Sequence, residues 1–179
     1  VRLQVFDSFR HEDRDGPFVE YVAARRAVLY RTAYLICGDA HRADDLVQVA
    51  LAKAYVAWPR LARVGNVDAY VRRILVNAHV DETRRGWRRE RPGLPEIDEP
   101  APVPRGEDNE ELWAALRALA PGQRRAVVLR HYWGLSVEET AADLGVSPGT
   151  VKSQTSDALA RLRRALSEAG TGADHDRAR

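Results

Sequence analysis

Ser136-Val137-Glu138-Glu139, followed by Gly145 and then by Ser147-Pro148, is the most specific pattern in the chain. A serine three residues before a glutamate forms a capping box, in which the hydroxyl accepts the Glu139 N–H and the glutamate accepts that of Ser136. Gly145 ends the helix so begun, and Ser147 with proline at the first helical position starts another. Helix, tight turn and helix of this kind carry a second helix into a DNA major groove. Val137, Ala141, Leu144, Val146 and Val151 are the apolar contacts expected to fix the angle, with Val146 plugging the turn. On the second helix, Val151, Thr155, Ala158, Leu159, Leu162 and Leu166 share a core-facing side. The opposite side carries Gly149, Lys152, Ser153, Ser156 and Asp157, short or polar groups that leave a groove approach open.

Two further constellations bear on binding. Arg73, Asn77 and Arg84 fall at i, i+4 and i+11 of a helical pattern that runs into RRGWRRER. There Arg84, Arg85, Arg88, Arg89 and Arg91 surround Trp87, a mixture able to neutralise phosphates and offer a ring for base stacking. A charged helix end with the tryptophan folded back on its own bundle is the plainer alternative. Asp44, Asp45 and Gln48 open another helix, where acids suit the positive end of the macrodipole and also form an acidic rim beside apolar surface, as at a protein docking site. Acid–base catalysis by the adjacent carboxylates is excluded, because residues i and i+1 point about 100° apart on a helix. The five histidines show no HxxxH or HExxH spacing and Cys37 is the single cysteine, so no metal, cofactor, disulfide or thiol redox pair is expected.

The elements that must position these groups all read as helices, and the fold class is all-α. Phe18, Val22, Leu29, Ala33 and Ile36 mark a first helix capped by Gly38. Leu46, Val47, Leu51, Ala54 and Tyr55 mark a second, from about 41 to 58, stopped by Pro59. A third starts at Asn66 and carries Val71, Ile74, Leu75 and Ala78. In the C-terminal part, helices are expected over 112–119 and 123–132, before the capping box, and over 148–166 after the turn.

The chain is 179 residues long with a net charge of +2, but the charge is segregated. Positions 1–91 carry 17 bases against 12 acids, 92–111 one against seven, and 112–179 ten against seven. The acidic middle also holds Pro92, Pro95, Pro100, Pro102 and Pro104, which deny helix hydrogen bonds and keep it extended. Extended, about 20 residues reach on the order of 60 Å, enough for two domains to sit on separated parts of one partner. The expected organisation is a helical domain at 17–91, an acidic Pro-rich linker at 92–111, a helix-turn-helix domain at 112–168 and a flexible tail at 169–179. No run of eighteen apolar residues occurs, and acids occupy the N-terminal stretch, so neither membrane insertion nor secretion is expected and the location is read as cytoplasmic.

From Phe18 to Leu166 these segments together resemble bacterial RNA polymerase sigma factors of the extracytoplasmic-function type, in an actinobacterial-like form. ADDLVQVALAKAYVAW looks like the family's polymerase-binding helix, with Asp44, Asp45, Leu46, Val47, Gln48 and Trp58 at its characteristic positions. YVRRILVNAHVDETRR looks like the promoter-melting helix, with Asn77 and Asp81 at the usual Asn and Asp. LRALAPGQRRAVVLRHYWGLSVEETAADLGVSPGTVKS follows the minus-35 recognition domain. The resemblance implies core polymerase bound through Asp44, Asp45, Leu46 and Gln48. It implies single-stranded minus-10 DNA held by Arg73, Asn77, Arg84, Arg85, Trp87 and Arg88, with Asn77 near an unstacked base. It implies a duplex minus-35 element met by Thr150, Lys152, Ser153 and Ser156, with Arg124, Arg125 and Arg130 on phosphates. The linker would thread the polymerase's RNA path, and an anti-sigma factor is a further expected partner. One departure stands out: Gln154-Thr155-Ser156-Asp157 follows Lys-Ser where many members are basic, and Asp157 would repel phosphates unless it accepts from a cytosine amino group.

The implied activity is that of a dissociable promoter-specificity subunit with no catalysis of its own, directing promoter recognition, melting and transcription initiation. The alternative is a free-standing helix-turn-helix regulator acting as a dimer. An enzyme acting on nucleic acid would need clustered carboxylates or metal ligands, and the sequence offers none.

Overall fold

The computed structural model describes residues 2–89 and 110–176, with side chains at 15–63, 65–83 and 111–168. Among these it holds seven α-helices and no strand: α1 (Arg2–Cys37), α2 (Ala40–Val64), α3 (Val67–Arg89), α4 (Glu110–Arg117), α5 (Pro121–Val127), α6 (Val137–Leu144) and α7 (Pro148–Asp176). Almost all of the acidic Pro-rich linker lies outside the described residues. Two compact units result. One is α1 up to Ala33 with α2 from Arg42 and α3; the other is α4–α7 with the α1–α2 corner Tyr34–His41.

In the first unit α2 buries Ala43, Leu46, Val47, Ala50, Ala54, Trp58 and Leu61, a stripe at helical spacing. Leu29 and Ala33 of α1 and Val71, Leu75 and Val76 of α3 complete the core. Gly38 closes α1 with φ +77°, its N–H bonding the Tyr34 carbonyl at 2.7 Å. Asn66 caps α3 as expected, its side-chain oxygen accepting from Ala69 N–H at 3.2 Å. Pro59 does not stop α2, which runs on to Val64. Proline removes one internal hydrogen bond at a cost of about 3 kcal/mol. The helix continues because Trp58 and Leu61, on either side of it, are both buried. The Trp58 ring sits 5.1 Å from Phe18 and 5.5 Å from Tyr21.

Tyr21 and Arg25 also tie α1 to the first turn of α3. Asp68 accepts from Tyr21 Oη at 3.0 Å, from Arg25 Nε at 2.9 Å, and from Arg25 Nη2 on its second oxygen. Burial, and then the Asp68 charge and hydrogen bond, push the Tyr21 phenol above its ordinary range.

In the second unit α7 packs against α4, α5 and α6. Leu116, Leu119, Ala126, Val127, Leu129, Leu135, Ala141, Val151, Ala158 and Leu162 are buried there. The helix expected over 123–132 starts two residues earlier, at Pro121, and its last part, Val128–Tyr132, widens into a π-turn, with Trp133 N–H reaching the Val128 carbonyl. Both capping-box bonds form, at 3.0 Å from Glu139 N to Ser136 Oγ and 2.8 Å from Ser136 N to Glu139 Oε2. Gly145 has φ +64°, the left-handed value that ends α6, and Ser147 Oγ accepts from Thr150 N at 3.1 Å to start α7. Val146 departs from expectation: it is 37% exposed and does not plug the turn, whereas Thr140 of α6 is fully buried. Leu166, expected to face the core, is 37% exposed as well. Helix α7 continues to Asp176, ten residues past the expected end, since no proline follows Pro148 to break it.

Candidate functional site

On α2, Asp45 and Gln48 are exposed, while Asp44 is half-buried and lies 3.3 Å from Arg26. Leu46, expected to take part in binding, is only 5% exposed and belongs to the buried α2 stripe with Val47, Ala50 and Ala54. Sequence reasoning passed over Val49 and Val56, which are 41% and 77% exposed. Asp45, Val49, Ala52 and Val56 stand at i, i+4, i+7 and i+11, so an apolar stripe headed by an acid runs along the outside of α2. The signal was available as a second apolar periodicity, offset from the core stripe. Below it, Lys53, Val56, Pro59, Arg60, Tyr70 and Ile74 line a hollow of about 710 Å³ between α2 and α3.

On α3, Arg73 and Asn77 are exposed one turn apart, while the neighbouring Arg72 is buried. The helix backbone reaches Arg89, so the stretch bearing Arg84, Arg85, Trp87 and Arg88 is helical; their side chains lie outside the described residues.

On α7, Lys152, Ser153 and Ser156 are exposed and Thr150 is half-buried. Two hydroxyls are engaged locally: Thr150 Oγ1 lies 2.9 Å from Ser147 Oγ, and Ser153 Oγ donates to the Thr150 carbonyl at 3.1 Å. Lys152 and Ser156 face a hollow of about 390 Å³ whose wall also holds Arg130, His131, Thr155 and Arg163. Arg130 shares this wall while one of its Nη atoms donates to the Leu135 carbonyl. Gln154 turns the other way, onto Gly122 of α5, where a Cβ would come within 2.8 Å of its amide nitrogen.

Arg124 departs from the phosphate-binding expectation. Its Nη2 donates to the carbonyls of Arg117 at 2.6 Å and Leu119 at 3.2 Å, so the guanidinium closes the C-terminal end of α4. Burial pushes its pKa below the ordinary arginine value. Arg125 is half-buried on the same helix.

The order of these surfaces along the chain coincides with two family models: Sigma-70 region 2 matches residues 21–89, and Sigma-70, region 4 matches residues 109–162. The RNA polymerase sigma-E factor of Streptomyces coelicolor is 42% identical over 151 residues, covering 83% of this chain and 85% of that protein. The chain belongs to the extracytoplasmic-function RNA polymerase sigma factors. The ECF RNA polymerase sigma factor SigL of Mycobacterium tuberculosis is 34% identical over 80% of this chain and 85% of its own length. The sigma factor RpoE of Bartonella quintana, solved in complex with the anti-sigma factor NepR, superposes with a TM-score of 0.72 at 29% identity, covering 84% of this chain and 97% of that one. In this sigma factor region 2 therefore comprises most of α1–α3, and region 4 comprises α4–α6 and the first half of α7. No described helix is long and apolar enough to cross a membrane.

Proposed function

We infer that this sigma factor binds core RNA polymerase, brings it to promoters and opens the DNA there, supplying no catalytic group of its own and working in the cytoplasm. The observation that carries the reading is the pair of sigma-70 regions, in order, on two helical units whose outward faces differ in chemistry. The α2 stripe of Asp45, Gln48, Val49 and Val56 is acidic and apolar, which suits a protein partner. The α3 face of Arg73 and Asn77, continued by the arginines and Trp87, suits the minus-10 single strand, where cations hold the backbone and a ring takes a base. The α7 face of Lys152, Ser153 and Ser156, with Arg130 beside it, suits the minus-35 duplex. Arg124 is left out of that set because it is spent on α4. A protein that seizes such surfaces to hold the factor inactive, as NepR accompanies the Bartonella relative, is the expected regulator.

The test separates the two duties. Asp45→Arg is expected to weaken core binding at least ten-fold, while Lys152→Ala leaves core binding intact and lowers transcription from a cognate promoter. Titration of core enzyme with labelled factor and run-off transcription by the reconstituted holoenzyme read them independently. Unchanged transcription with Lys152→Ala would remove the α7 assignment.

A further inference from the structure

Asp157 is the residue on α7 that the family's chemistry leaves unexplained. At about 100° per residue, the direction opposite the buried Val151, Ala158 and Leu162 runs through Ser153. Gly149 and Ser156 flank that direction on one side, and Asp157 flanks it on the other. Lys152 and Arg163 share a stripe on the Ser156 side and, with Arg130 and His131, line the 390 Å³ hollow, while Arg161 and Arg164 lie about one and two turns beyond Asp157 on its own flank. Thr155 Oγ1, buried and without a hydrogen-bond partner among the described residues, lies in the same wall. Asp157 is exposed across the helix from this hollow. Asp157 stands in none of the ion pairs Arg25–Asp68, Arg26–Asp44 and Arg42–Glu82, although Arg161 is one turn further on.

Over residues 148–160, the turns of α7 that enter a groove first, Lys152 is the single cation and stands on the side of the hollow, which orients this part of the helix. Phosphates fix the register of a protein on a duplex, and the hollow offers a phosphate strand three cations, Arg130, Lys152 and Arg163, beside the His131 ring. With that strand on the Lys152 side, Ser153 and Asp157 face the base edges. A carboxylate only accepts hydrogen bonds. In the major groove guanine and thymine present acceptors to it, and adenine places N7 beside its amino group, which opposes the second carboxylate oxygen. Cytosine presents its N4 amino group alone.

We propose that Asp157 is a specificity-determining residue that accepts a hydrogen bond from a cytosine N4 amino group in the minus-35 duplex, with the adjoining phosphate strand seated in the Arg130, His131, Lys152 and Arg163 hollow. The assignment rests on the promoter-reading role of α7 proposed above. It explains how an acid can occupy a DNA-facing helix without weakening the complex on its own promoter: the repulsion from phosphates is felt on every sequence, and only a cytosine at one position offsets it.

Selection by reconstituted holoenzyme from duplexes randomised across the minus-35 element tests it, with core binding measured in parallel. The wild type is expected to select cytosine at one position, and replacing that cytosine by thymine, which exchanges the amino group for a carbonyl, to cost roughly ten-fold or more in binding. Asp157→Ala is expected to lose the preference at that position alone, and Asp157→Asn to move it towards adenine, whose N6 and N7 an amide pairs with. An Asp157→Ala factor that tightens on all sequences equally, or that keeps the same base preference, would overturn the assignment. A wild type that binds core enzyme yet selects no minus-35 sequence would overturn the promoter-reading role and this inference with it.

Discussion

Replacing Asp68 by asparagine tests whether the clasp between α1 and α3 holds region 2 together. The carboxylate accepts Tyr21 Oη and Arg25 Nε on one oxygen and Arg25 Nη2 on the other. Asparagine keeps the first oxygen but turns an amide donor towards Nη2, so one charge-assisted bond is lost and two donors face each other. A hydrogen bond to a charged group contributes about 1.5–3 kcal/mol, and an exposed ion pair about 1 kcal/mol or less. The Arg25 and Asp68 side chains are 33% and 39% exposed, which places the loss between those limits. Asp68 also stands in the first turn of α3, where a negative charge contributes about 0.3–1 kcal/mol. The expected loss is therefore about 2 kcal/mol. The assay is urea unfolding of the full chain followed by fluorescence, with Trp87, Trp113 and Trp133 replaced by phenylalanine so that Trp58, which touches Tyr21, reports alone. The midpoint should fall with the slope unchanged. A second variant, Arg25→Met, completes a cycle in which the two losses should be less than additive. A loss inside about 0.5 kcal/mol, the range of ordinary surface substitutions, or simple additivity of the two, would refute the clasp.

Tyr21→Phe addresses the same contact through pH. The folded chain holds the phenol proton more tightly than the unfolded chain, so its contribution is intact below about pH 10 and declines as the unfolded state ionises above it. The Phe variant should lose that alkaline decline, read from urea midpoints on either side of the tyrosine range. In region 4, Ser136→Ala removes the capping-box acceptor for Glu139 N–H and should destabilise that unit by about 1 kcal/mol, with Ser136→Gly costing less. Thermal unfolding monitored in a chain retaining Trp133 alone checks it.

Much of the backbone was legible because its signals are local. Ser136 with Glu139, Gly38 and Gly145 at positive φ, and Asn66 before α3 each act over three or four residues, so residue type and spacing decide the outcome before any tertiary contact forms. Pro59 does not stop α2 because its local penalty is outweighed by burial of Trp58 and Leu61, and the rings that pack on Trp58 are those of Phe18 and Tyr21, far away in the chain. Position in a motif points Leu46 and Arg124 to binding surfaces. Which side of α2 is covered, and where the free carbonyls of α4 lie, only packing determines. The exposed stripe of Val49 and Val56 was missed for the same reason, since an apolar residue at helical spacing is written identically whether it faces a core or a partner.

By itself, then, the sequence determined the helical class, the helix caps, the turn of the helix-turn-helix and the charge division into two basic blocks and an acidic bridge. Tertiary structure decided which arginines stay exposed, which valines stand outside the core, and that Lys152 and Arg163 share a hollow with Arg130 and His131 on the flank away from Asp157. Caps and turns are settled by bonds between near neighbours. A side chain's availability depends on which remote surface covers it, and that is known only once the helices have packed.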